Sequence, residues 1–554
     1  MAATFLLRAA SASCLVLGAI LSSCSGDDGA SGTPAAGGGA AGTSGGGGAS
    51  GNAGGGGASG NAGAGGAAGT GGSSGAGGSA GSSGSAGSGG AGALGGPFRH
   101  GVNFGYVPGL DDAQMATLGR RAGANSARIS LPEQHLDKWG WDIETADMAS
   151  YLATGLHDNV VFLTAPTAAH SSAPSGTPDW ELAYYLPKNL YQPIFLSDSS
   201  VNPDNYWAVY VEKTVQVYKT WIKVWSVWNE PDWVSDWQVT QTWDKSPPTA
   251  AQLPRFNGSI FDYVRMLRIT TEVAKKVDPE ARVAVGGLGY PTFLSAVVRY
   301  TDNPQDGSVT ADYPKTGAQY FDVVDMHYYP IFSPGNSDTG AAGLIGLKKE
   351  FQAVLDAAGA SGKPFVVTES GAPHLANSGP GGPEYARGYL LKAMTLAQAE
   401  GILGVDWFAL GDGQDPASGP FAAMGLYSNL HGLPDLNAAK QTEAGVAYAT
   451  LGKLLDDARY DAAGTAALGL GSDAAGGAFR VSDAPGASRA WVLWAKVTGP
   501  IENAAAAAQI PTDKGVDQYE WNWSADATAT QSLPSAAGKV AVQLTGTPRI
   551  FVEK

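Results

Sequence analysis

Two glutamates stand where a chain of this kind could do acid/base work on a bond between sugars. Glu230 follows Asn229 in Trp228-Asn229-Glu230-Pro231, directly after the strand-like run Ile222-Lys223-Val224-Trp225-Ser226-Val227. Glu369 ends a second apolar run, Phe365-Val366-Val367-Thr368, in the same way. Carboxylates at the C-terminal ends of two parallel strands of one barrel are the least that hydrolysis of a glycosidic bond requires. The expectation is therefore a glycosidase whose chemistry depends on the two strands lying side by side in one sheet.

From Phe98 onwards apolar runs of strand length alternate with amphipathic helical stretches, the pattern of parallel βαβ units. The strand candidates are 101–104, 126–130, 159–164, 222–227, 283–286, 321–327, 365–369 and 404–408. Helices are expected over 111–122, 146–156, 205–219 and 261–277, with a last one over 444–455. Eight such units predict an α/β fold, a (β/α)₈ barrel with enlarged loops. A doubly wound open sheet is the alternative. It fits less well, because polar residues end nearly every strand rather than gathering at one switch point. After about Asp456 short β-rich segments separated by turns predict a small C-terminal antiparallel β-sandwich. It follows the last helix without a linker, which favours a domain packed on the barrel over a freely swinging carbohydrate-binding module.

Composition divides the 554 residues unequally. Residues 25–96 are almost wholly Gly, Ala, Ser and Thr, and such a segment cannot bury enough apolar surface to offset its ordering entropy. A disordered tether of roughly 70 residues, spanning on the order of 45 Å, is expected there. Residues 1–23 resemble a secretory signal: Arg8 is basic, and the apolar stretch from Ala9 to Leu21 is too short to span a bilayer comfortably. The signal ends in Leu21-Ser22-Ser23-Cys24, which resembles the lipobox of bacterial lipoproteins. That resemblance implies lipid modification of Cys24, and Ser25 after it implies the outer membrane or cell surface. The expected domains are thus 1–23, 24–96, 97–455 and 456–554.

The only cysteines are Cys14 and Cys24, so neither a thiol nucleophile nor a thiolate metal site is available to the exported part. Seven histidines show no metal-ligand spacing such as H-E-x-x-H, and no Gly-rich nucleotide loop is present. No metal and no cofactor are expected. A net charge of −16 argues against nucleic acid and suits an enzyme acting on neutral polymers, here expected to be a monomer.

Residues 98 to 455 resemble the clan of retaining glycoside hydrolases with (β/α)₈ barrels. The nearest likenesses are family 39, the β-xylosidases and α-iduronidases, and family 5, the cellulases and mannanases. The clan carries its acid/base after an asparagine ending strand four and its nucleophile at the end of strand seven. That implies Glu230 as acid/base and Glu369 as nucleophile. In those roles Glu230 must hold a proton near neutrality, so burial and nearby negative charge are expected to raise its pKa. Glu369 must stay ionised, and Arg128, near the end of strand two, is a suitable cationic partner. Asn229 can donate to a sugar 2-hydroxyl as the oxocarbenium forms, and retention requires carboxyl groups about 5–5.5 Å apart.

The resemblance further implies that His327 and Tyr329, in His327-Tyr328-Tyr329, face the site beside Glu230 and Glu369 respectively. Trp407 is expected as the sugar platform, since an aromatic face packs on the apolar surface of a pyranose. His170 is a candidate for a neighbouring subsite, its duller alternative being an ordinary loop histidine. The aromatics Trp180, Tyr184, Tyr185, Trp233, Trp237 and Trp243 either stack on sugar or pack their own loops. The tryptophan before Asn229 and the C-terminal sandwich lean towards family 39, and the His-x-Tyr and Trp407 towards family 5. The alternative to an enzyme is a catalytically inactive, surface-held carbohydrate-binding lipoprotein that uses the same cleft.

Overall fold

The computed structural model describes residues 97–554, apart from 106, 334, 377–379, 483–485, 487 and 527–529. The expected signal, Cys24 and the tether therefore lie outside the described residues. Eight parallel strands form one sheet in the order 5-4-3-2-1-8-7-6. They are β1 (Arg99–Asn103), β2 (Ser126–Ser130), β3 (Val160–Leu163), β4 (Val224–Val227), β5 (Arg282–Val285), β6 (Val324–Tyr328), β7 (Phe365–Ser370) and β8 (Gly404–Phe408). Parallel bridges Ala284 to Val323 and Leu288 to Met326 join β5 to β6, so the sheet closes into a barrel.

Both faces of these strands are buried, which is why they read as nearly continuous apolar runs. In β4 the alternation is still visible. Trp225 and Val227 join the large core between barrel and helices, whereas Val224 joins a small inner layer with Val160, Ala284, Val323 and Val366. Around the barrel run α1 (Asp112–Arg121), α2 (Glu133–Trp139), α3 (Thr145–Thr154), α4 (Tyr206–Tyr218), α5 (Ile260–Val277), α6 (Pro291–Arg299), α7 (Ser337–Ala357), α8 (Pro383–Ala399) and α9 (Glu443–Leu455). Their starts are chemically marked. Asp111, Ser259 and Asn336 each close a capping box, and Pro291 and Pro383 open α6 and α8, where a missing N–H does no harm.

The C-terminal part is antiparallel. Strands β9 (Arg459–Tyr460), β10 (Ala474–Arg480), β11 (Arg489–Ala495), β13 (Val516–Tyr519), β14 (Gln531–Leu533) and β16 (Arg549–Glu553) form one sheet. A ribbon of β12 (Ala505–Pro511) and β15 (Lys539–Thr545) forms the second. β11 shows the period of two: Trp491 and Leu493 enter the core shared with the ribbon, while Ala490, Val492 and Trp494 belong to the barrel's core. The sheet is thus built against the helices. β12 escapes a sequence reading, because its Ala505-Ala506-Ala507-Ala508 has no β preference; seven register pairs with β15 hold it extended. Among the described residues no helix is long and apolar enough to cross a membrane.

Candidate active site

The C-terminal ends of the strands surround a cleft of about 300 Å³. Asn103, Asn229, Glu230, Tyr329, Glu369 and Phe408 line it from strand ends or the residues just beyond, and Arg128 joins them from the middle of β2. One carboxylate oxygen of Glu230, one of Glu369 and a ring nitrogen of His327 all lie within 4.8 Å of one another. The structure therefore brings the two glutamates to a single mouth.

Each carboxylate is held by specific donors. Arg128 Nη1 is paired with Glu369 Oε1, and Nη2 donates to Asn229 Oδ1 at 2.6 Å. The guanidinium lies 4.3 Å from the centre of the Phe162 ring, with its side chain only 2 % exposed. With Oδ1 so occupied, the amide NH₂ of Asn229 is the end left to meet a hydroxyl. Tyr329 Oη donates to Glu369 Oε2 at 2.6 Å. His327 Nδ1 lies 3.0 Å from Glu230 Oε1 and 3.5 Å from Glu369 Oε2, between the two acids.

The tautomer of His327 follows from its other side. Thr368 Oγ1 donates to Asp325 Oδ1 at 2.6 Å, so the same oxygen accepts from His327 Nε2–H at 3.1 Å. Ser226 Oγ donates to the second oxygen of Asp325 at 2.8 Å. Nδ1 is then an acceptor in the neutral ring and a donor in the imidazolium. Thr368 reaches this position through a register shift: Met326 pairs with Val367, but His327 pairs with Glu369. In a regular strand Thr368 and Glu369 would point to opposite faces, and the irregularity lets both serve the mouth.

The loop after β4 adopts a conformation that ordinary residues avoid. Trp228 has φ +75° and Glu230 has φ +48°, each costing on the order of 1–2 kcal/mol for a residue with a side chain. The turn is pinned from within, as Glu230 N donates to Gly286 O at 2.9 Å and Trp228 Nε1 donates to Arg255 O at 2.9 Å. Asp232 takes the amides of Gly289 and Tyr290, and burial first, with Glu230 nearby, pushes its carboxyl up to about 7.

Electrostatics correct one expectation. Burial by itself pushes the Glu230 carboxyl up, but the hydrogen bond and charge of His327, with Arg255 and Arg128, outweigh it. Glu230 ends below the ordinary glutamate value, not above it. His327 moves the opposite way: burial would lower it, yet the charge of Glu369 and the bond to Glu230 raise it. Arg255 had no signal in the sequence. It lies in the long segment between β4 and α5, and its Nη1 donates to Glu230 Oε2 at 2.7 Å.

Two further expectations are overturned. Trp407 is 1 % exposed, points away from the cleft, donates through Nε1 to Met424 O at 2.8 Å and packs on Tyr389. The next residue, Phe408, lines the cleft with Phe421 and Phe332, because alternation along β8 turns only one of the adjacent aromatics inward. His170 does not line the cleft either. Its Nδ1 pairs with Glu133 Oε1 at 2.7 Å and its ring stacks on Tyr206, while His135 takes a place in the lining. Of the loop aromatics, Tyr184 and Trp233 reach the cleft, whereas Trp243 is wholly buried.

Among the described residues two acidic groupings come close enough to share an ion, Glu230/His327/Glu369 and Asp112/Glu144/Asp147. The first already has Arg128 and Arg255 against its carboxylates, an arrangement hostile to a second cation. The second is all carboxylate, and burial, ahead of Asp112 and Asp147, pushes Glu144 up to about 7.

No protein-family model matches the chain, and no curated protein matches it. Solved structures do. A family 39 glycoside hydrolase from the gut symbiont Bacteroides cellulosilyticus WH2 aligns with a TM-score of 0.53 at 16 % identity, over 83 % of this chain and 81 % of that one. The fold is a (β/α)₈ barrel similar to that of this family 39 glycoside hydrolase. A family 30 endoxylanase from Clostridium papyrosolvens C71 aligns at 0.49 and 14 % identity, over 83 % and 98 %. A family 39 enzyme from Xanthomonas axonopodis pv. citri aligns at 0.47 and 14 % identity, over 82 % and 93 %. At these identities the likeness concerns the fold alone.

Proposed function

We propose that this protein is a retaining glycoside hydrolase acting on oligosaccharides or polysaccharides by double displacement, with no cofactor. The observation that carries the reading is the approach of the Glu230 and Glu369 carboxylates across one barrel mouth, within 4.8 Å. Glu369 attacks the anomeric carbon while Glu230 delivers a proton to the departing oxygen, which keeps the electron pair of the broken C–O bond. Arg128 and Tyr329, each bonded to one of its oxygens, keep Glu369 aimed; Asn229 meets the sugar 2-hydroxyl. In the second half Glu230 takes a proton from water, whose oxygen attacks the glycosyl ester and frees Glu369.

Glu369→Ala is expected to abolish turnover of aryl glycosides with the melting temperature retained, and persisting turnover removes the assignment. NMR of the first-formed product tests retention, since an inverted anomer excludes a covalent intermediate on Glu369. A reducing-sugar assay over xylan, mannan, β-glucans and aryl glycosides identifies the sugar.

A second reading, a sugar-binding protein without turnover, has one observation in its favour: the lowered Glu230 carboxyl. Binding without hydrolysis across that panel is its signature. For placement, the proposal is export as a monomer and attachment to the membrane through a lipid on Cys24. Partition of the exported protein into the aqueous phase of a detergent extraction excludes the anchor.

A further inference from the structure

The cleft is lined from opposite sides of the barrel mouth. In a closed ring with the order 5-4-3-2-1-8-7-6, β3 and β7 lie four strands apart, as far as eight strands allow. Tyr184 enters from the segment after β3, whereas Phe332 and Phe421 enter from the segments after β6 and β8, on either side of β7. Glu230 and Glu369 line the same cleft, their carboxylates converging within it.

The exposed aromatic rings gather here. Among the described residues, the tryptophans and phenylalanines exposed by more than a third are Trp139, Trp180 and Phe332. Phe332, 38 % exposed, lines the cleft itself. Trp180, 39 % exposed, has its ring centre 6.3 Å from that of Tyr184 and at right angles to it. Trp139 stands 5.0 Å from His135, another lining residue, but Lys138 Nζ lies 4.5 Å from the centre of its ring, which therefore already has a partner. Single exposed apolar residues scattered over a surface are ordinary, whereas a concentration around one cleft marks a binding surface.

Other residues anchor the segments that carry Trp180 and Phe332. Trp180 is in the short helical turn Asp179–Tyr184, where Leu182 and Ala183 are the buried residues and Asn257 Nδ2 donates to Tyr184 O at 2.9 Å. Phe332 ends the turn Pro330–Phe332, of which Pro330 is the buried residue, and its ring centre lies 6.2 Å from that of Phe421.

We propose that the cleft is a groove open at both ends, with Trp180 and Phe332 as its outer sugar platforms, so that the enzyme holds a linear glycan on both sides of the bond it breaks and cleaves within the chain. The inference rests on the glycosidase reading and adds the form of the substrate and the mode of attack. An enzyme that trims chain ends needs one end of its cleft closed against the terminal sugar. A ring exposed beyond each end meets no sugar unless the chain continues in both directions. The apolar C–H face of a pyranose laid on either ring removes apolar surface of both partners from water. The bonds made and broken are those of the double displacement, and only the seating of the chain is added.

The test uses a linear pentasaccharide of the polysaccharide that the enzyme accepts, fluorescently labelled at its reducing end, with the first products separated by chromatography. Wild type is expected to cut internal bonds and, on the polymer, to lower viscosity well before reducing ends accumulate. Trp180→Ala and Phe332→Ala each remove a platform from one end. The preferred bond should therefore move in opposite directions in the two variants, with the ratio of the two major products changing by about fivefold in each. That ratio does not depend on how much enzyme is folded, so a loss of stability alone leaves it unmoved. Release of single sugars from one chain end by wild type overturns the inference, as does turnover confined to aryl glycosides of single sugars. Product ratios that stay fixed in the variants, or move in the same direction, overturn it too. The wild-type product pattern decides even if a variant does not fold. Absence of any turnover by wild type, or turnover that survives Glu369→Ala, overturns the glycosidase reading instead.

Discussion

Glu230 and His327 set each other's protonation through one hydrogen bond, and this has a consequence for stability. Glu230 sits below its ordinary 4.5 and His327 above its ordinary 6.5. The contribution of Glu230 is present above pH 4.5 and is lost as pH falls through its lowered folded value. That of His327 is complete below pH 6.5 and is lost as pH rises through its raised folded value. Their joint stabilisation is therefore full between the two. His327→Gln should melt below wild type by its widest margin in that window, with the margin shrinking on the alkaline side. An equal margin from about pH 5 to about pH 9 in thermal melts would show that the two groups are not linked in this way.

At the scale of elements, the mouth is shaped by departures from regular strands. The register shift at His327 brings Thr368 and Glu369 to the same site, and the turn after β4 holds Trp228 and Glu230 at positive φ. The loop after β5 adds a steric requirement. Gly287 has φ +59°, and a Cβ there would lie 2.2 Å from His327 Nε2. Gly287→Ala therefore meets both backbone strain and a buried ring that Thr368 holds in place. It is expected to lose more than about 1 kcal/mol in denaturant unfolding and to lower kcat as His327 is displaced. A stable, fully active variant would mean that the β5 loop does not brace the histidine.

At the scale of the molecule, barrel and C-terminal sheets share a charged, largely buried seam. Lys392, on α8 and wholly buried, donates to Asp338 Oδ2 at 2.7 Å and to Ser337 Oγ at 2.6 Å. Glu502 and Trp494, from the C-terminal part, meet the same pair: Glu502 accepts from Ser337 and Trp494 Nε1 donates to Asp338 Oδ1. Removing one partner leaves the others buried and uncompensated, which typically costs about 3–5 kcal/mol. Lys392→Met is expected to lose that much. Calorimetry of wild type should give one transition for both parts, because Val492 and Trp494 belong to the barrel's own core. Two separated transitions would mean that the seam does not couple them.

The local sequence was enough for the eight strands of the barrel, since each is a short apolar run bounded by polar residues, and for the ends of β2 and β8 to the residue. Of the residues it singled out, Glu230, Glu369, Asn229, His327 and Tyr329 lie at or just beyond strand ends and Arg128 in the middle of β2, and these six do gather at the mouth, whereas Trp407 and His170 do not. What lay beyond it was set by contacts between distant segments. Whether Trp407 or Phe408 turns inward depends on the register of β8 against its neighbours, which composition does not encode. The alanines of β12 are extended only because β15 pairs with them. Arg255 comes from a loop 25 residues after Glu230, and only folding puts its cation on that carboxylate. The direction of the Glu230 shift followed from that contact and from His327, because the charge felt by a buried acid is a sum over spatial neighbours, which a linear sequence does not reveal.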